Sequence, residues 1–129
     1  MSIKVSDYGH ERDAASAAEV EAMLAERTLN GMNMWWVSFD ERYPCVSILA
    51  NESLACVHFH PHDQHPGFQA QGPASGLDEQ GQTMFSISGP NEEVWMPNTS
   101  VVDFSIAVQA VRDFLRDKRM SPGIQWLEL

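Results

Sequence analysis

Four of the chain's five histidines, His58, His60, His62 and His65, lie within eight residues in the segment VHFHPHDQHP. Imidazole is the commonest metal ligand and the usual general base, so chemistry is sought here first. Two cysteines, Cys45 and Cys56, precede the run. A Cys45/Cys56/His58/His60 set has the composition of a tetrahedral zinc site, and His62, Asp63 and His65 that of a nickel or copper site. The spacing works against both. No CxxC knuckle is present, and side chains on neighbouring strands project side by side where a metal needs them to converge. A Cys56/His58 dyad fails for the same reason. The chain has no GxSxG elbow, no phosphate-binding glycine loop and no HExxH helix. Glu92 and Glu93, consecutive at a strand start, face opposite sides. The residues therefore predict no catalysis, no cofactor and no metal, with the histidines at a strand end and in the loop that follows.

The elements that position these residues are legible from periodicity. SAAEVEAMLAER is helical: Ser16 and Glu19 have capping-box spacing, Ala17, Val20, Met23 and Leu24 form a stripe, and Gly31 is the stop signal. NMWWVSF, CVSILA and LACVHFH read as a three-strand meander. With Asn51-Glu52 as one turn and Asp40 to Tyr43 as the other, Val37 opposes Val46, Trp35 opposes Ile48, Val46 opposes Val57 and Cys45 opposes His58. One face is then wholly apolar: Trp35, Val37, Phe39, Val46, Ile48, Ala55, Val57 and Phe59. The other is mixed: Met34, Trp36, Ser38, Cys45, Ser47, Leu49, Leu54, Cys56, His58 and His60. It meets either a partner or a covering loop. Residues 61–81 read as a long flexible loop. TMFSISG and EEVWMP make a second hairpin around Gly89-Pro90-Asn91. Asp103 caps a final helix with stripe Ala107, Ala110, Val111, Phe114 and Leu115, ended by Pro122, and GIQWLEL supplies a last strand. Trp35 and Trp126 belong to the core. The expected fold is one α+β domain over 1–129: two layers, a mainly antiparallel sheet of about five to six strands, and two helices on one face.

Charge narrows the function. Eighteen acidic residues against eight basic ones leave a net charge of −10. Four of the basic residues, Arg112, Arg116, Lys118 and Arg119, cluster where they suit the negative end of the last helix. Such a surface repels nucleic acid and membranes and attracts basic proteins. No apolar signal segment opens the chain and the two cysteines form no disulfide framework, so a cytoplasmic protein with reduced thiols is expected.

AVQAVRDFLRDKRMSPGIQWLEL resembles the end of an immunity-protein family found beside bacterial polymorphic toxins, deaminase toxins above all. The marks are Phe114-Leu115, Lys118-Arg119, Pro122 and Trp126. VSFDERYPCVSILANESLACVHF resembles the family's paired strands, so the likeness spans roughly residues 16 to 60 and 100 to 129. It implies a protein that binds a basic, zinc-dependent deaminase toxin and covers its substrate cleft without chemistry. The contacts expected on that reading are Trp36 as an aromatic anchor, Asp40, Glu41, Asp63, Asp78, Glu79, Glu92 and Glu93 as charged contacts, and His60 and His62 at the rim. Two alternatives stand beside it: a small metal-binding protein using Cys45, Cys56, His58 and His60, and a homodimeric interaction module using the mixed sheet face.

Overall fold

The structure, a computed structural model, describes residues 2–89 and 91–129. The chain opens with a hairpin of β1 (Ile3–Asp7) and β2 (His10–Ala14), turning at Tyr8-Gly9 with Gly9 at φ +90°. Helix α1 (Ala17–Leu24) follows. Ser16 caps it by accepting the Glu19 amide at 3.2 Å, and Glu19 Oε2 reaches back to the Ala15 amide at 2.6 Å. Val20 and Leu24 are buried and Met23 packs beside them, whereas Ala17 is exposed. The helix ends well before Gly31, which serves instead at φ +81° in the turn leading into β3 (Met32–Ser38).

Strands β3, β4 (Cys45–Asn51) and β5 (Leu54–His60) form the expected antiparallel meander. Val37 faces Val46 and Trp35 faces Ile48, as alternation predicts. The β4–β5 pairing is displaced by two residues from the expected one: the turn is Glu52-Ser53, Glu52 takes φ +54°, and Val46 meets Phe59 while Ile48 meets Val57. A shift of two preserves every face, so the predicted apolar set is the buried set.

The main sheet is larger than expected. Its order is β10-β6-β5-β4-β3-β1-β2, with β6 (Phe68–Ala70) and β10 (Trp126–Glu128) beyond β5, and β9 (Val102–Asp103) pairing with the other end of β5, eight strands in all. The additional strands are the N-terminal hairpin and the short β6 and β9. These two span only two or three residues and take their pairing from distant chain, so no local period announces them.

Helix α2 (Phe104–Asp117) lies with α1 on one face of the sheet. Ala107, Ala110, Val111 and Phe114 are buried, and Leu115 is partly so. Asp103 stands at the N-cap, yet its side chain makes no capping bond, because β9 holds that residue against Leu54. The helix stops at Lys118, left-handed at φ 56°, four residues before Pro122. The basic cluster is largely engaged in the scaffold: Arg112 grips Glu21 of α1 at 2.7 Å, Arg116 pairs with Asp113 and Asp117, and the Lys118 ammonium lies 4.9 Å from the centre of the Phe39 ring. Trp126 packs on the core and donates to the Ser121 carbonyl.

On the opposite face a two-stranded ribbon, β7 (Gln82–Ser86) and β8 (Glu93–Pro97), adds a partial third layer. Phe85, Val94 and Met96 cover Leu49, Leu54 and Cys56 together with Val101 and Leu77. The expected turn residue Pro90 lies outside the described residues. Among the described residues no helix is long and apolar enough to cross a membrane.

Residues 61–81 do not form a free loop. Within them lies β6, and the Gln71, Gly72 and Ala74 amides donate to the carbonyls of Gln125, Thr99 and Val101. A Cβ at Gly72 would sit 2.0 Å from the Val101 carbonyl oxygen, so the two backbones meet at a distance only glycine permits. Gly72→Ala must move one of them. It should lower the urea midpoint by the equivalent of about 1–3 kcal/mol with an unchanged m-value; an unaltered midpoint would mean the segment is not held as described.

Candidate functional site

The ribbon covers only half of the open sheet face. Past its tip a row crosses four strands on this face, Ser6 on β1, Trp36 on β3, Ser47 on β4 and His58 on β5, each paired with the next and only Trp36 exposed. Ser47 is small, which leaves room above it. His60 leans into that space, with its Nε2 3.0 Å from Ser47 Oγ, and stacks on Trp36 with ring centroids 5.0 Å apart and planes 26° apart. His58 stacks behind at 6.0 Å and is in hydrogen-bond contact with the Gln69 side-chain amide at 3.1 Å.

Trp36 is 38% exposed. Beside it opens a groove of about 690 Å³, lined among others by Tyr8, Tyr43, Lys4, Glu11, Asp40 and Arg42. Lys4 Nζ reaches Asp13 at 2.6 Å and also feels Glu11 and Asp40. The groove is aromatic with charges of both signs at its rim.

The predicted residues distribute unevenly. Trp36, Asp40 and His60 come together at the open half-face, Trp36 and Asp40 in the groove itself. Glu41 is exposed in the adjoining turn, and His62 and Asp63 in the turn after β5. Glu92 and Glu93 are exposed at the ribbon tip. Asp78 and Glu79 lie at the ribbon's other end, where the Asp78 carbonyl accepts Asn98 Nδ2 at 2.8 Å and Asp78 Oδ1 accepts the Gln80 amide. Those two do not share a surface with the groove. Among the described residues no ion pair engages Asp40, Glu41, Asp63, Asp78, Glu79, Glu92 or Glu93, whereas Lys4, Arg12, Arg112 and Arg116 are all paired.

The zinc-like set of the alternative reading is not assembled. Cys45 pairs with His60, not His58, because of the two-residue displacement; Cys56 pairs with Leu49 further along β4 and is sealed beneath Phe85. Among the described residues no three His, Cys, Asp or Glu side chains group so as to hold a metal ion. His65 has a structural task. Its Nδ1 accepts the Gly67 amide at 2.8 Å, which leaves Nε2 protonated to face Glu128 Oε2 at 2.8 Å, and its ring lies flat on Phe68. The run thus ties β5 to the last strand.

Burial makes the possible nucleophiles inert. It pushes the thiols of Cys45 and Cys56 up to about 12, with Arg42 and Ser100 opposing weakly. Burial and then the neighbouring His60 pull His58 down to about 4, and burial with His65 lowers His60.

Sequence reasoning overlooked the groove's far wall, Lys4, Tyr8 and Glu11, because the N-terminal strands went unread. The signal was present in the Ile3/Val5 alternation and the Tyr8-Gly9 turn. No protein-family model matches the chain, and no curated protein matches it.

Two outcomes follow. Iodoacetamide at mildly alkaline pH should leave both cysteines unmodified in the folded protein and alkylate both in urea, read by intact mass; labelling of the folded form would contradict the burial. For His58 the unfolded chain takes a proton near 6.5 and the folded chain only near 4. Stability is therefore full above 6.5 and falls as the pH drops between those values. His58→Gln should flatten that fall in urea midpoints, and an identical pH profile would contradict a neutral buried imidazole.

Proposed function

We propose that this protein acts by binding, as an immunity protein that docks on a basic bacterial deaminase toxin and occludes its substrate cleft without catalysing a reaction. One observation carries the reading: an exposed tryptophan, backed by a histidine, on the half of a sheet face that the chain leaves uncovered, in a molecule of net charge −10. An aromatic side chain held rigid from behind loses little freedom on binding, which is the character of an interface anchor.

The charge distribution supports the same reading. Four of the eight basic side chains are in ion pairs within the scaffold, so the free carboxylates of the 40–41, 62–63 and 92–93 turns set the long-range field. That field draws in a basic partner and accelerates encounter, while burial of Trp36 slows release. A nucleic-acid-binding enzyme must have a basic cleft, so an acidic protein seated there competes directly with its substrate. The partner class comes from the resemblance of the C-terminal helix and strand to that immunity family. The inert thiols and neutral His58 agree with a role that needs no nucleophile.

The test is a titration of the purified protein against basic deaminase-domain toxins from bacterial polymorphic toxin systems, with deamination followed in parallel. Stoichiometric binding and inhibition are expected. Trp36→Ala should weaken binding by at least about thirtyfold, and added salt should slow association more than it speeds dissociation. Absence of binding, or an affinity indifferent to Trp36, would overturn the proposal.

A further inference from the structure

Trp36 presents only one ring face to a partner, since His60 is stacked on the other and lies outside the groove. The free face forms part of a groove whose other aromatic members are Tyr8, Tyr43 and Phe39. Indole and phenol faces are negative by their quadrupoles and attract cations.

The fixed charges point the same way. Of the groove's own lining, Lys4 and Arg42 stand against Glu11 and Asp40; Asp13, which holds Lys4, and Glu41, next to Asp40 in the chain, add two carboxylates beside it. Lys4 is held by Asp13 and sits within the fields of Glu11 and Asp40, so its charge is more than balanced locally. An aromatic floor with surplus carboxylates at its rim is the chemistry that takes an organic cation.

The molecule already contains such an arrangement at the edge of its core. The Arg27 guanidinium lies 4.4 Å from the centre of the Phe104 ring and 5.4 Å from that of Trp35, with its N–H groups on the carbonyls of Glu52, Leu24 and Glu26. A planar guanidinium stacks on a ring while its edge donates to oxygen, and a compact ammonium cannot do both.

We propose that the groove beside Trp36 receives one arginine side chain of the partner protein, its guanidinium flat on the free indole face and its edge donating to Asp40 and Glu11. This rests on the docking reading above and names the chemistry of its central contact. Lys4 stays on Asp13 during binding. Arg42, for which no ion pair is present among the described residues, lines the same groove and opposes the incoming cation.

The probe is butylguanidinium, titrated through the millimolar range at constant ionic strength into isotopically labelled full-length protein, with the indole N–H of Trp36 followed by NMR. A saturable shift of that resonance is expected, with butylammonium weaker and the uncharged isostere butylurea silent. Glu11→Gln with Asp40→Asn should weaken the probe about fivefold or more, and Arg42→Ala should tighten it. Trp36→Phe, which keeps an aromatic face, should retain part of the binding seen at neighbouring resonances, and Trp36→Ala should lose it. Equal response to butylurea, shifts that map elsewhere, or no shift would each overturn the proposal. Equal response to butylammonium would overturn the choice of arginine. If the toxin binds while the probe does not, this inference fails and the docking reading stands; if the probe seats while the toxin does not bind, the docking reading fails and the groove keeps its guanidinium site without that partner.

Discussion

Trp35 and Trp36 are consecutive on one strand, and a pleated strand sends consecutive side chains to opposite faces. Burying the first therefore forces the second out of the same core. Trp35 is wholly buried beneath the two helices, against Phe104 edge-on at 6.1 Å, and a side chain of that size contributes more to the core than any neighbour. Among the described residues its indole nitrogen finds no acceptor, a cost of about 1–3 kcal/mol that the surrounding apolar burial has to exceed. Once Trp35 is fixed, Trp36 must lie on the other face, and everything on that face is arranged around it. The ribbon covers one half, His60 backs the ring, and the N-terminal hairpin walls the groove beyond.

Arg27 is the clip that makes the buried side stable. Its guanidinium joins the end of α1, the β4–β5 turn and the first residue of α2, by hydrogen bonds to carbonyls and by lying on two aromatic rings. The β4–β5 turn it holds is the one whose position sets the register of β5, and hence which residues flank His60. Lys4, Arg12, Arg112 and Arg116 work in the same spirit, each cross-linking elements or strengthening a helix end. With those cations committed to the scaffold, the remaining carboxylates dominate the field around the molecule. The net charge of −10 thus sets the field at its open face.

The histidine run shows how composition misleads when geometry is unknown. His58 is neutral and packed, His60 is a backing plate for Trp36, and His65 bridges the Gly67 amide to Glu128. Of the four only His62 is exposed, its ring edge-on to His65 at 5.6 Å. Three of the four are positioned by contacts with residues from other strands, and they converge on aromatic rings, not on a common point.

The sequence by itself determined the local preferences: α1 with its capping box, the β3–β4–β5 meander with its buried face, the apolar stripe of α2, and the negative charge. Each follows from a period or a composition within a dozen residues. Even the one-residue move of the β4–β5 turn, which displaces the pairing by two, left the faces intact, because side-chain direction repeats every two residues. The tertiary structure decided what has no local signature. Strands β6 and β9 exist because β5 offers them an edge. The 61–81 segment is held because carbonyls of 99, 101 and 125 lie within reach. The groove exists because an N-terminal hairpin, a central strand and a ribbon tip happen to be neighbours in space. Trp36 was legible as a residue of the exposed face; that it is backed by His60, and that Asp40 joins it while Asp78 does not, depends on distances between elements remote in the chain. Periodicity reports which way a side chain points, and only the packed fold reports what it meets there.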